Sequence, residues 1–157
     1  ERETISMPSA SIKKKIPCSK NNLIKMVLDI EKYPEFVPWC IKGKIHSIKN
    51  KDNKFEIIAD LTIGKSFFNE TYKSFVTYDK SADVIFVKNI DGPLKYLENK
   101  WFFKQIGESS EIYFDINFEL KNKILNLFMI KSFDIGLKKI ADAFEKRAIK
   151  LFNSRSN

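Results

Sequence analysis

The chain has 157 residues, 43% apolar and 31% charged, and its 28 basic against 20 acidic side chains give a formal net charge of +8. That length suits one domain with a substantial core, and the composition excludes a disordered or fibrous chain. One histidine, two cysteines without C-x-x-C spacing and five glycines exclude a multi-histidine metal site, a disulfide framework and a glycine-rich phosphate cradle.

A basic surface suits nucleic acid, a ribosome or an anionic membrane, or is simply a solvated lysine-rich face. Cys18 and Cys40 fit a reducing compartment. No apolar run approaches the roughly 18 residues of a membrane span, and no signal peptide is visible. Met7-Pro8 reads as a natural start, so residues 1–7 are expected to be an extension and 8–153 a single domain. Fourteen phenylalanines must line a core or a cavity, since exposed rings promote aggregation.

Ser9 to Ile16 reads as a first strand, and Lys13-Lys14-Lys15 marks it as an edge. Pro17 ends it. Ser19 or Asn21 caps a helix to about Ile30, with Leu23, Met26, Val27 and Ile30 as its apolar stripe. In Tyr33-Pro34-Glu35-Phe36-Val37-Pro38-Trp39-Cys40, two prolines force a turn or a one-turn helix. A loop this apolar must plug a core or rim a pocket. Six strands follow: Ile41–Lys49, Lys54–Ile63, Ser66–Tyr78, Ala82–Ile90, Tyr96–Ile106, and a last one in which Ile112, Phe114, Ile116, Phe118 and Leu120 alternate with polar residues. Asp91-Gly92-Pro93 is a turn. Consecutive hairpins predict an antiparallel sheet with one apolar face.

The stretch from Asn122 to Phe152 is the one long helix available to cover that face. Phe133, Leu137, Ile140, Phe144, Ala148 and Leu151 share a side. Ile124 to Ile130 is apolar nearly all round, which predicts a lid that touches lipid rather than core. The whole run is roughly 45 Å at 1.5 Å per residue, longer than a domain of this size. A break or kink around Ser132 to Gly136 is therefore expected, giving a short apolar piece and a long amphipathic one. The class is α+β: a curved antiparallel sheet of about seven strands wrapped on a long C-terminal helix, with two short helices after the first strand. Such a grip leaves room for a ligand.

No nucleophile elbow, phosphate loop or zinc motif is present, and no aromatic-interleaved nucleic-acid motif. His46 sits among lysines and reads as a surface residue. Asp60, Glu70, Glu98 and Asp115 alternate with apolar neighbours and are expected to face water. The pattern favours a binding protein over an enzyme.

The organisation and two motifs resemble the START-like, helix-grip proteins of the coenzyme Q-binding and ribosome-association-toxin group, also labelled polyketide cyclase/dehydrase-like. Tyr33-Pro-Glu-Phe-Val-Pro-Trp-Cys40 is close to the family's Y-P-x-F-[VL]-P-[WG]-C. Asp91-Gly92-Pro93-Leu94, with Leu97, Trp101 and Phe103, is similar to D-G-P-F-x-x-L…W-x-F, with Leu94 in place of the usual Phe. The resemblance spans roughly Pro8 to Phe152. It implies a non-enzymatic protein that holds ubiquinone or a related isoprenoid lipid in an apolar cavity in support of respiration. It then works in the bacterial cytoplasm peripheral to the inner membrane, or on the matrix side of a mitochondrion.

Candidate ligand contacts are Tyr33, Phe36, Val37, Trp39, Leu97, Trp101, Leu127, Phe128, Phe133 and Leu137, with Trp39 and Trp101 stacking on a ring and Tyr33 donating to a carbonyl. No cofactor, metal or DNA partner is expected; an isoprenoid quinone and an anionic membrane surface are. Two alternatives stand beside this reading. One is binding to the large ribosomal subunit through Lys13 to Lys15, Lys42, Lys44, Lys49, Lys51 and Lys54. The other is a polyketide cyclase or dehydratase, which needs a His, Asp, Glu or Arg in the cavity.

Overall fold

A computed structural model of the chain describes residues 9–65 and 68–152, and within them the side chains of all but residues 65, 68, 125 and 128–131. Strand β1 (Ser9–Ile16) is followed by helix α1 (Lys20–Leu28) and a 3₁₀ helix (Ile30–Glu35). Six strands then run in series: β2 (Cys40–Lys51), β3 (Lys54–Lys65), β4 (Phe68–Asp79), β5 (Val84–Asp91), β6 (Leu94–Ile106) and β7 (Ser109–Leu120). Helix α2 (Lys123–Phe152) closes the chain.

The sheet has seven strands in the order β1-β7-β6-β5-β4-β3-β2, antiparallel throughout. The predicted helix-grip class is the observed one. Local chemistry explains each boundary. Ser19 caps α1, its hydroxyl accepting from the Asn22 amide at 3.2 Å. The apolar stripe of α1 (Leu23, Ile24, Met26, Val27) is buried against the sheet and α2. Ile30 is buried too, but in the 3₁₀ helix rather than in α1. Pro34 lies within that 3₁₀ helix, where the tighter turn tolerates it.

Two glycines are required by backbone approach. At Gly43 a Cβ would sit 2.3 Å from the Ile30 carbonyl oxygen, so only glycine lets the 3₁₀ helix lie on β2. Gly92 turns β5 into β6 at a φ of +127°, with Tyr72 packed against its Cα. Asp91-Gly92-Pro93 is thus a turn.

The expected division of the long helix into two pieces is not found. Helix α2 runs unbroken for 30 residues, because the sequence offers no proline to break it and Gly136 is absorbed in its interior, facing the Trp39 indole about 3.5 Å from where a Cβ would lie. At the start of the helix Ile124 and Leu127 are 69% and 64% exposed. Asn122 holds this start, its side chain accepting from the Ile124 amide at 3.0 Å. Asn126 ties it to the end of β7 through the Leu120 amide at 3.1 Å. From Leu137 on, the helix rests on β1 and β7 with α1 at its side, burying Leu137, Phe144 and Ala148.

Lys14 pins the far half of α2, with its ammonium 2.8 Å from Asp142 and 3.5 Å from Glu145. The hydrogen bond from Lys14 holds the Asp142 carboxyl below the ordinary aspartate range. This tether is therefore present above that range and lost as acid protonates the carboxylate.

The Gly43→Ala variant is expected to lose about 1–3 kcal/mol, because the new methyl must push the Ile30 carbonyl off β2. Chemical denaturation checks it. A midpoint equal to the parent's would show that the 3₁₀ helix does not lie on this strand.

Candidate functional site

The register defines what the concave face of the sheet presents to α2. One row runs Ile57, Val76, Val87, Asn99, Ile116, Ala10, and the next runs Phe55, Tyr78, Ile85, Trp101, Phe114, Ile12. Toward the other end lie Leu61 with Tyr72, and Leu97 with Phe118. The buried residues on this face do not form one core. A large cluster gathers α1, the far half of α2 and the strands beneath them. A small one consists of Leu94, Leu97 and Phe118. Val87, Ile116 and Phe133 pack against both and are themselves only half-buried. They mark an apolar seam between two packed regions, with Leu61, Tyr72 and Trp101 half-buried beside it.

The large cluster is closed. Trp101 stacks 6.2 Å from Phe103 and meets Phe114 and Phe144 edge-on at 4.6 and 5.4 Å. The gap left between Trp101, Phe114, Leu137 and Phe144 is about 20 Å³, room for a single water and no ring. Stacking of a quinone on Trp101 would have to displace Phe114 or Phe144.

The other sequence-predicted contacts divide. Phe133 and Leu97 border the seam, and Phe133 touches Phe118 at 4.7 Å. Leu137 is buried in the large cluster. Tyr33 is committed elsewhere: its hydroxyl donates to the Val27 carbonyl, its ring meets Phe36 and Phe144 edge-on, and burial pushes its phenol far up. Phe36 and Val37 pack half-buried against the large cluster. Trp39 is half-buried at a φ of +65°, with its carbonyl accepting from the Gly64 amide at 2.9 Å and its indole against Gly136. Leu127 points outward. The side chain of Phe128 lies outside the described residues, as do those of Leu125, Met129 and Ile130 from the expected lid.

Sequence reasoning missed the polar groups of the seam. Asn99 sits between Val87 and Ile116, and its Oδ1 is buried without a partner. An acceptor in this condition costs about 1–3 kcal/mol unless something pairs with it. Rotation of the amide exchanges that acceptor for an N–H donor, so Asn99 can serve either partner. Tyr72 lies on the same face, its phenol pushed far up by burial. Asn89, two residues on from Val87, is spent on the fold. The β5–β6 ladder stops at Lys88–Glu98, and the Asn89 side chain takes over, donating to the Leu94 carbonyl at 3.2 Å and accepting from the Leu97 amide at 2.9 Å. The signal for Asn99 was the alternation itself, since Leu97, Trp101 and Phe103 share its face.

Glu70 corrects an expectation. Its pairing with Ile63 puts it on the concave face at the mouth, not toward water. Among the described strand residues it is the one carboxylate there. His46 lies on the convex side, its Nε2 2.7 Å from the Asp60 carboxylate, in keeping with a surface role. Burial pushes both the Cys18 and Cys40 thiols up, away from nucleophilic character. No group of three or more His, Cys, Asp and Glu able to hold a metal occurs among the described residues.

One end of the molecule exposes several large apolar side chains among charged neighbours such as Lys42, Asp91, Lys95 and Lys123. The starts of β2, β4 and β6, the ends of β3, β5 and β7 and the start of α2 meet there, and Ile41, Ile90, Ile124 and Leu127 are each more than half exposed. No described helix is long and apolar enough to cross a membrane.

Residues 20–145 match the family described as polyketide cyclase / dehydrase and lipid transport. The chain is similar to the ribosome association toxin RatA of Rickettsia prowazekii, 35% identical over 85% of this chain and 90% of that protein. It is also similar to the mitochondrial coenzyme Q-binding protein COQ10 of Dictyostelium discoideum, 26% identical over 98% of this chain and 75% of that one. Among solved structures, the 18 kDa protein CC1736 of Caulobacter crescentus superposes with a TM-score of 0.78 at 29% identity, covering 94% of this chain and all 100% of the other. The Zhui aromatase/cyclase from Streptomyces shares the fold, with a TM-score of 0.79 at 11% identity over 96% of this chain and 99% of that one.

The Asn99→Leu variant is expected to be more stable than the parent without ligand by about 1 kcal/mol, because it removes the orphaned acceptor and adds apolar contact. A thermal midpoint that falls instead would show that Asn99 has a partner within the fold.

Proposed function

Because the chain belongs to the polyketide cyclase / dehydrase and lipid transport family, in its ribosome-association-toxin and coenzyme Q-binding group, we propose that it binds an isoprenoid quinone in the seam between α2 and the sheet. The observation that carries this reading is the split core. Val87, Ile116 and Phe133 are apolar and half-buried, and the buried polar atom among them has no partner. An isoprenoid chain supplies what the apolar residues lack, at roughly 0.8 kcal/mol per CH₂ buried. A quinone supplies what Asn99 lacks: a carbonyl accepts from its amide N–H, and a quinol hydroxyl donates to its Oδ1.

The exposed rim of Ile41, Ile90, Ile124 and Leu127 gives the lipid a way in from a bilayer. The protein then works at a membrane surface, as a carrier rather than a catalyst. A carrier fits the concave face better than a cyclase does. His46 is on the other side of the sheet, Arg147 lines an outer groove, and Glu70 stands alone at the mouth.

A second reading is association with a ribosome. It is favoured by the 35% identity to a relative named for that association and by the net charge of +8. The two readings use different surfaces and one chain can serve both.

Lipid extraction and mass spectrometry of the purified protein, followed by titration with ubiquinone, test the first reading. The protein is expected to carry or take up quinone. The Asn99→Leu variant is expected to bind quinone about two- to tenfold more weakly, the value of one hydrogen bond, and to bind the matching polyprenyl hydrocarbon unchanged. A protein that neither carries nor takes up quinone would overturn the reading.

A further inference from the structure

A second surface feature lies away from the seam. It is an open groove of about 480 Å³ between the Glu35–Pro38 turn and the outer face of α2, lined by Lys139, Asp142, Ala143, Lys146, Arg147 and Lys150 along the helix. Its two carboxylates are already engaged. Asp142 is held by Lys14 at 2.8 Å, and Glu35 by Arg147 at 2.9 Å and Lys32 at 3.4 Å. Lys139, Lys146 and Lys150 have no carboxylate within 4.0 Å among the described residues.

These three share one stripe of the helix, spaced by seven and four residues. That makes about 10.5 and 6 Å along the axis, with Ala143 leaving the floor open between them. Arg147, paired with Glu35, stacks 5.0 Å above the Phe36 ring and holds the turn against the helix.

We propose that this groove binds the phosphate backbone of RNA. A straight row of lysines along a cleft, each without a carboxylate within 4.0 Å among the described residues, suits a linear polyanion. Phe36 is covered by Arg147 and offers no open face for a base, so binding is by backbone and indifferent to sequence. A membrane is the poorer occupant. Lys146 lies 19 residues from Leu127, about 28 Å along a continuous helix and several Debye lengths from the apolar rim. A bilayer that receives the rim does not reach the groove.

The proposal extends the ribosome reading by naming its surface, and it asks nothing of the seam. It puts the basic face on α2 rather than on Lys13 to Lys15, Lys42, Lys44, Lys49, Lys51 and Lys54.

Fluorescence anisotropy with a labelled structured RNA at several salt concentrations tests it on the full chain. Triple replacement of Lys139, Lys146 and Lys150 by Ala is expected to weaken binding on the order of tenfold at low salt and to lower the log–log salt slope by about 2–3. The single reversal Lys146→Glu is expected to act in the same direction. Triple replacement of Lys42, Lys44 and Lys49 by Ala is expected to leave affinity and slope near the parent's. Binding to phosphatidylserine-containing vesicles is expected to be unchanged in the groove variant. Loss of RNA binding through the β2 triple instead would overturn the groove assignment alone. A parent protein that binds no RNA at low salt would overturn the ribosome reading with it. Equal loss of vesicle binding in the groove variant would assign the surface to lipid and overturn the proposal.

Discussion

One helix must cover a seven-stranded sheet, and it is too narrow to do so. An α-helix with its side chains is about 10–12 Å across, whereas seven strands at about 4.8 Å spacing span roughly 30 Å. The protein commits α2 to one side, over β1 and β7 with α1 beside it. There the aromatic residues Trp101, Phe103, Phe114 and Phe144 fill the space almost completely. Toward the other end of the concave face, Leu94, Leu97 and Phe118 form a separate small cluster. The seam between the clusters follows from that asymmetry.

The same helix separates two chemistries. At its start Ile124 and Leu127 meet solvent, at the end of the molecule that also exposes Ile41 and Ile90. Its far half buries Phe144 and Ala148 inward and presents a lysine row outward. The continuity of α2 keeps these ends about 28 Å apart, so the apolar rim and the cationic groove can meet different partners.

Much of the fold was legible because local signals agreed with it. Pro17 after an alternating run ends β1 at Ile16, and Ser19 caps the next helix. Strand alternation placed Phe114 and Phe118 inward, and the register confirms them. What was not legible depended on shape. The break was inferred from a domain diameter, but α2 runs unbroken for 30 residues. Tyr33 reads as an exposed donor until α1 folds back and places the Val27 carbonyl against its hydroxyl. Asn99 stands between Leu97 and Trp101 on their face of β6, so the alternation itself places it inward. Arg147 and its groove need the Glu35–Pro38 turn to lie against α2 across more than a hundred residues of chain. No local pattern announces such a contact.

The central claim is that the seam, not the aromatic cluster, receives a lipid. Methyl-labelled NMR of the protein with ubiquinone in detergent micelles tests it most directly. Seam binding predicts intermolecular contacts from the isoprenoid chain to the methyls of Val87 and Ile116, with the methyls of Leu23 and Ile85 in the closed cluster unmoved. Contacts confined to Leu23 and Ile85, or none to Val87 and Ile116 at saturation, would contradict it.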